Sequence, residues 1–250
     1  MEIDKSYYRS KCELPQGEGT VITEFYGEVA TRQITIFNGI MYSSSSLEDW
    51  DENVGYLLYD GKKNELDLQE SEVIDEMQFE YEWDKTISDS VVNSYISYQT
   101  GDATIPISSS RLIIHIVNNM GKWGKGFVVA LSKRYPVVKK MYQDWVNDDK
   151  SFALGNVQFV VVDEVENVFV ANMLAQNGIK RNYKDSTQYI SYEHLEKCLS
   201  LVADFALEKR LSIQLPMIGA GLGGGDWNVI EKIIKNKIAR NKIKCDILRL

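Results

Sequence analysis

Histidine and cysteine are scarce in this chain: two of one and three of the other in 250 residues. Cys12, Cys198 and Cys245 are scattered without metal-ligand spacing, and their odd number argues against a disulfide framework. With so little histidine, a His-rich zinc site is not expected, and neither a metal nor a cofactor is implied. Cysteine used this way fits a reducing, cytoplasmic setting. No apolar run approaches the length that spans a bilayer, so no membrane association is expected. The amino terminus, MEIDKSYYRSKCELPQ, lacks the basic start and apolar stretch of a signal peptide. Internal repeats and low-complexity tracts are also missing.

What the chain does hold is unevenly distributed. Hydrophobic residues make up 44% and charged residues 26%, ordinary proportions for a protein with a sizeable core. The formal charge of −8 conceals a split: residues 1–100 carry 21 acids against 7 bases, and residues 101–250 carry 15 against 21. A change of that size favours two modules. The polar stretch Thr86–Ser90 marks the boundary, which places an acidic module at 1–88 and a second module at 89–250.

The first module reads as a small β-rich α+β domain. Gly19–Tyr26 and Thr31–Phe37 alternate apolar and polar residues as half-buried strands do. Asn38-Gly39 then signals a tight turn before Ile40–Tyr42, and Gly55–Tyr59 is a further short strand candidate. Residues 70–83 read as a helix with Val73, Met77, Phe79 and Trp83 toward the sheet. The acids of this module are spread over strands, turns and helix without a catalytic constellation. They are read as a solvated surface that disfavours nucleic-acid binding; the partner of this module is unknown.

The second module alternates strands (Val91–Tyr98, Arg111–Val117, Val157–Val162, Val168–Met173, Ser212–Pro216, Lys244–Leu248) with helices (Gly126–Arg134, Val137–Asn147, Tyr192–Lys209, Trp227–Arg240). In Tyr192–Lys209, Leu195, Cys198, Leu199, Val202, Phe205 and Ala206 recur on one face. Short apolar strands between such helices imply an α/β fold with a sheet covered on both faces.

Two glycine loops carry the chemistry. Gly219-Ala220-Gly221-Leu222-Gly223-Gly224-Gly225 lies between a strand and a helix, so its glycines free backbone N–H groups to approach an anion near a helix N-terminus. A Rossmann fingerprint is excluded by position, since only one strand follows, and a P-loop by the missing Gly-Lys-Ser/Thr. Asn118-Asn119-Met-Gly121-Lys-Trp-Gly124-Lys125-Gly126 joins another strand to another helix. Loops of this kind at the carboxyl ends of strands in one sheet would form a crevice that grips a pyrophosphate from both sides. Gly101-Asp102-Ala103-Thr104 adds a carboxylate at the same rim.

Gly101–Thr104, IIHIVNNMGKWGKGFVVALSKRYP (113–136), Val170–Gln176 and LPMIGAGLGGGDW (215–227), in this order, resemble the macrodomain family over residues 90–250. The nearest likeness is to its ADP-ribose-1″-phosphate phosphatase-like branch. Earlier in the chain, Ile22–Phe25 and Thr31–Ile34 resemble small uncharacterised bacterial modules, a likeness without functional content. The resemblance implies a three-layer macrodomain with a mixed central sheet flanked by helices, preceded by the β-rich domain. It implies ADP-ribose or a derivative as ligand, including an ADP-ribosylated macromolecule. Asp102, with Ala103 and Thr104, would receive the adenine amine; a carboxylate is acceptor-only and so selects adenine over guanine. Asn118 and Asn119 would contact the distal ribose. Gly124, Lys125, Gly126 and the backbone of Phe127 would line that ribose and one phosphate. Gly219, Ala220, Gly221, Leu222, Gly223 and Gly224 would hold the second phosphate, with Gln176 facing the distal side.

The leading expectation is an enzyme that hydrolyses a bond at the distal ribose, with two alternatives beside it. In a phosphatase-like hydrolase acting at the distal ribose, His115 and Asp226 are the catalytic candidates. Against these stand a hydrogen-bonded core histidine and a helix-capping aspartate. A second reading is a non-catalytic reader or sequestering protein for an ADP-ribose-derived signal. It is motivated by Gly223, where some de-ADP-ribosylating relatives carry an acid, and by Gln176, where one branch carries a lysine nucleophile. A third is hydrolytic removal of ADP-ribose from protein or nucleic acid.

Overall fold

The computed structural model describes residues 4–147, 150–182 and 184–249. The chain divides into two compact units, Met1–Val92 with Leu207–Arg210, and Asn93–Ala206 with Leu211–Leu250.

The first unit is built on an antiparallel sheet of β1 (Lys5–Leu14), β2 (Gly17–Tyr26), β3 (Val29–Phe37), β4 (Ile40–Ser44) and β7 (Glu72–Ile74). Their order is β4-β3-β2-β1-β7. A two-residue ribbon, β5 (Trp50–Asp51) with β6 (Gly55–Tyr56), lies in the segment between β4 and β7. Gly55–Tyr59 is therefore strand only at its start. β1 was not anticipated, because KSYYRSKCEL lacks a clean apolar alternation; of its residues only Tyr7 is buried.

The helix expected over 70–83 begins later. Residues 72–74 pair with β1 as β7, and Asp75 then caps α1 (Glu76–Asp84) by accepting from the Gln78 N–H at 2.7 Å. The Gln78 side chain returns to the Asp75 N–H, closing a capping box. Of the four residues expected to face the sheet, Phe79 and Trp83 do so, whereas Val73 and Met77 are 71% and 78% exposed. The cause is the strand-to-helix break at Asp75, which resets the phase of the helical face.

One face of this sheet packs Tyr7, Ile22, Ile34 and Ile74 against Phe79 and Trp83. Between these aromatics and the sheet, Arg32 bonds Glu24 (2.6 Å) and Glu80 (2.5 Å), its guanidinium 4.8 Å from the Phe79 ring centre. Burial works to raise the Glu24 pKa, but Arg32 beside it overrides that and holds the carboxyl well below the ordinary range.

The second unit has a six-stranded mixed sheet. After α2 (Asp89–Ser94) come β8 (Ile96–Thr100), β9 (Arg111–Asn118), α3 (Phe127–Arg134), α4 (Pro136–Val146), β10 (Val157–Asp163) and β11 (Val168–Gln176). α5 (Tyr192–Lys209), β12 (Ser212–Pro216), α6 (Trp227–Lys237) and β13 (Cys245–Arg249) follow. The strand order is β10-β11-β9-β12-β13-β8, with only β10–β11 antiparallel. The strand expected at Val91–Tyr98 is helix up to Ser94 and strand from Ile96, since Asp89 and Ser90 open a helical turn ahead of the apolar pair Val91-Val92.

Helices cover both faces of this sheet, as the alternating pattern implies. Ile113, Val168 and Val170 pack under Leu131 of α3 and Val138 of α4. On the opposite face Phe205 of α5 stacks on Phe159 at 3.9 Å and meets Phe169 edge-on. Leu195, Cys198, Leu199, Val202 and Ala206 are fully or almost fully buried along the same helix. Burying each large apolar side chain contributes about 1.5–3 kcal/mol.

Candidate functional site

Because β8, β9, β11, β12 and β13 run parallel, the segments that leave them emerge along one edge of the sheet. Asp102 follows β8, the first glycine loop follows β9, Gln176 ends β11 and the second glycine loop follows β12. From β8 to β11 are four strand spacings, about 19 Å. The four sequence motifs thus fall along one rim long enough for an elongated ligand, at the crevice position typical of open α/β sheets.

The two glycine loops approach each other directly. A Cβ placed on Gly126 would lie 3.4 Å from Cδ1 of Leu222. Among the described residues, the backbone N–H groups of Gly124, Lys125, Gly126 and Phe127 donate no hydrogen bond. The same holds for Ala220, Gly221, Leu222 and Gly223. Unpaired amides on facing loops, each leading into a helix (α3 and α6), make an anion-binding concavity.

The first loop is organised by Asn118. Its Oδ1 accepts from the N–H groups of Met120 (3.0 Å) and Lys122 (3.1 Å), and its Nδ2 donates to the Lys122 carbonyl (2.7 Å). Asn119 does the same sideways: its Nδ2 donates to Asn177 Oδ1 at 2.8 Å, and its Oδ1 accepts from the Gly178 N–H at 2.8 Å. Gln176 donates to the Gly178 carbonyl at 2.8 Å. These three side chains, expected to face the distal ribose, are engaged in holding the rim; Lys125 is exposed on it.

The second loop is held by its own backbone and by the segment before α5. Gly225 N–H donates to the Gly219 carbonyl (2.9 Å), while Tyr189 and Ile190 N–H groups donate to the Gly223 carbonyl (2.8 and 3.1 Å). A Cβ at Gly223 would sit 2.8 Å from the Gly219 carbonyl oxygen. This loop conformation therefore admits no acidic side chain at 223.

Asp102 accepts from both the N–H (2.9 Å) and the hydroxyl (2.8 Å) of Thr104 through Oδ1. The Thr104 N–H bond is the main reason its pKa lies below the ordinary value. Its Oδ2 makes no hydrogen bond among the described residues, which leaves one carboxylate oxygen for a ligand donor. Ala103 and Thr104 are buried beneath it.

Sequence reasoning missed what fixes this turn. Gln214 on β12, fully buried, donates to the carbonyls of Ala103 (2.9 Å) and Ile105 (2.7 Å) and accepts from the Ile107 N–H (3.1 Å). The signal was available: a lone amide in the apolar strand SIQLP needs partners. Ile190 and Tyr189, which brace the second loop, gave no such signal.

His115 and Asp226 are placed as follows. His115 is 2% exposed; Nε2 lies 2.6 Å from Asn172 Oδ1 on β11, and the ring meets Trp123 edge-on at 5.6 Å and Phe127 at 5.8 Å. Burial lowers its pKa to about 4, against the opposing effect of the Asn172 bond, so the imidazole is neutral near pH 7. It sits under the first loop rather than at the rim. Asp226 caps α6, accepting from the Asn228 N–H at 2.9 Å, and its side chain is exposed. Among the described residues, no group of three or more His, Cys, Asp or Glu could hold a metal ion, and no helix is long and apolar enough to cross a membrane.

No family model matches the chain. Among solved structures it resembles a protein of unknown function from Bacteroides thetaiotaomicron, at 41% identity and a TM-score of 0.58 over 62% of this chain and 98% of that one. It also resembles a macrodomain protein from Streptomyces coelicolor, at 38% identity and a TM-score of 0.54 over 62% and 99%. Among curated proteins, chromodomain-helicase-DNA-binding protein 1-like from Danio rerio is 30% identical over 156 residues, 59% of this chain. That match spans only 15% of the relative's own length. An ADP-ribose 1″-phosphate phosphatase from Saccharomyces cerevisiae is 21% identical over 57% of this chain and 92% of its own.

Proposed function

This chain belongs to the macrodomain family, and on that premise we propose that the crevice between its two glycine loops binds ADP-ribose or a derivative. The observation that carries this reading is the pair of facing loops with eight unpaired amides, brought together at Gly126 and Leu222. A diphosphate between them takes up hydrogen bonds that the loops do not make internally, each charge-assisted. Adenine lies toward Asp102, whose free Oδ2 accepts from the exocyclic amine, and the distal ribose lies toward Gln176. Calorimetric titration of the full chain with ADP-ribose gives saturable binding, and GDP-ribose binds at least about tenfold more weakly. No heat with ADP-ribose at millimolar concentration overturns the reading.

Binding without chemistry, as a reader or sequestering protein, is the form this function takes. Neutral His115 lies beneath the loop, Gly223 admits no acid, and Gln176 is no nucleophile. Hydrolysis at the distal ribose is the second reading, supported by the likeness to a phosphatase and by the exposed carboxylate of Asp226 at the end of the second loop. Phosphate release from ADP-ribose-1″-phosphate, or release of free ADP-ribose from modified protein or nucleic acid, lost in Asp226→Asn, selects hydrolysis. Tight binding with no release selects the reader.

A further inference from the structure

The face of the first unit's sheet that turns away from α1 is only partly filled, by a cluster of Phe25, Ala30 and Leu58 with Tyr8, Leu47 and Tyr59 packed against it. It carries a cavity of about 800 Å³, lined entirely by residues of the first unit. Strand register sets Tyr8, Thr23 and Gln33 side by side across β1, β2 and β3, and this row forms the floor. The segment between β4 and β7 forms the roof, contributing Leu47, Val54, Leu58 and Leu68. On the other face the same strands bury a hydrophobic core against Phe79 and Trp83. The sheet is therefore packed shut on one side and roofed over a space on the other, in the size range of small-molecule sites.

The polar groups of the floor are fixed but underused. Gln33 is 6% exposed. Its Oε1 accepts from Thr23 Oγ1 (3.3 Å) and from the Tyr59 N–H (3.2 Å), and its Nε2 donates once, to Thr35 Oγ1 (3.3 Å). All three bonds are long, and the second Nε2 hydrogen has no acceptor among the described residues. Thr23 Oγ1 beside it keeps its lone pairs free. Native interiors rarely leave an amide so poorly matched. A ligand with adjacent acceptor and donor atoms would complete it, the acceptor on Gln33 Nε2 and the donor on Thr23 Oγ1. Aromatic walls flank this pair: Phe25 lies edge-on to Tyr8 (6.1 Å) and to Tyr59 (6.5 Å), and Tyr56 stands at the mouth. The charged lining residues are Glu13, Asp60 and Asp67 against Lys11. Lys11 is paired with Glu18 and Asp60 with Arg210, which among the described residues leaves Glu13 and Asp67 as the uncompensated charges of the lining. A negative rim repels anions.

We propose that this cavity is a second binding site, independent of the glycine-loop crevice, for an uncharged planar heterocycle with an N–H beside a C=O, the lactam edge of a pyrimidine- or purine-like ring. The probes are 5-fluorouracil and 5-fluoroorotate, which share the ring and differ by a carboxylate, observed by fluorine NMR with the full chain. 5-Fluorouracil, at a pH where its ring is neutral, broadens and shifts on addition of protein, and excess ADP-ribose does not displace it. 5-Fluoroorotate binds at least about tenfold more weakly, as does 5-fluorouracil to Gln33→Leu, which keeps the volume but removes the Nε2 donor offered to the ligand along with the three bonds Gln33 makes to Thr23, Thr35 and Tyr59. Tyr56→Ala changes an exposed side chain and leaves the core intact; it weakens 5-fluorouracil by about threefold, the loss of one stacking contact. An unchanged 5-fluorouracil signal, equal binding of both probes, displacement by ADP-ribose, or full binding by Tyr56→Ala each overturns the proposal.

Discussion

The two glycine loops face the same crevice but are held in different ways. The first is tied by a side chain: Asn118 makes three hydrogen bonds to the backbone of Met120 and Lys122, and Asn119 pins it to the Asn177-Gly178 turn. The second has no such side chain. Its shape rests on backbone bonds and on the absence of Cβ atoms at positions where backbone from elsewhere comes within contact. A loop shaped by side-chain bonds yields gradually when one is removed. A loop shaped by missing atoms fails abruptly when one is added.

The sharpest way to break this contrast is Gly224→Ala. Gly224 has φ +68°, and a Cβ there would lie 2.9 Å from the Thr187 carbonyl oxygen and 3.3 Å from Gln188 Cα, all backbone that cannot rotate away. Left-handed backbone costs an alanine about 1–2 kcal/mol, and overpacking about 1–3 kcal/mol more. Chemical denaturation should show destabilisation of about 2–5 kcal/mol, with ADP-ribose affinity down at least about a hundredfold as the unpaired amides at 220–223 are displaced. Stability and affinity near wild type would mean that the loop bends, and that the contrast is false.

The next effect concerns the support beneath the first loop. His115 is neutral in the folded state at about pKa 4 and titrates near 6.5 when unfolded. Between those values the unfolded chain binds a proton that the folded chain does not, so stability falls as pH drops through this window. Complete at the lower end, the loss from this group is about 3 kcal/mol. Denaturation midpoints followed from neutral pH into the window should fall less steeply in His115→Gln than in wild type. Equal slopes would show that the imidazole is not held neutral. Because Trp123 and Phe127 rest on His115, acidification should also weaken ligand binding through the first loop before the second.

How much of this was legible in the sequence follows from what each feature depends on. α5 and β12 run over the residues expected, because Tyr192–Lys209 has one continuous apolar face and SIQLP is bounded by Arg210 and Pro216. The glycine loops were legible because glycine needs little context to be read. Which side chains the first loop consumes was not, since the bonds of Asn119 depend on a turn almost sixty residues away and those of Asn118 on how the loop coils back over its own first residue. β1 was invisible for a similar reason: it sits between β2 and β7 and is defined by its partners, not by its own alternation. The α1 face was misphased because Asp75 serves as a helix cap, so Val73 belongs to a strand and Met77 falls on the outer face. His115 could be read from sequence as either base or core residue, and only its distance to Asn172 and its burial separate the two.

A smaller effect is expected from Asn118→Ala. The side chain is partly exposed, so water replaces some of what is lost, and unfolding free energy should drop by about 1 kcal/mol. The larger consequence is for the ligand: without the Asn118 bonds, residues 120–122 must be ordered on binding, which costs about tenfold in ADP-ribose affinity. Calorimetry against the Gly224→Ala variant sharpens the comparison, because here affinity falls more than stability. An Asn118→Asp variant should keep the two bonds accepted by Oδ1 and lose the one donated by Nδ2, and so fall between wild type and Asn118→Ala.

The smallest effect is expected at the two loop glycines that meet nothing. Gly124, in the first loop, has open space where its Cβ would be and an ordinary backbone conformation; Gly221, in the second, has the same. If glycine matters in these loops because of contact and φ, Gly124→Ala and Gly221→Ala should change stability by less than about 0.5 kcal/mol. Their affinities should shift by no more than about threefold, from a methyl group set beside the ligand. If these two substitutions are as damaging as Gly224→Ala, the loops need flexibility rather than shape. The second loop would then be no more rigidly built than the first, and its resistance to an acidic side chain at 223 would need another cause than the Gly219 carbonyl.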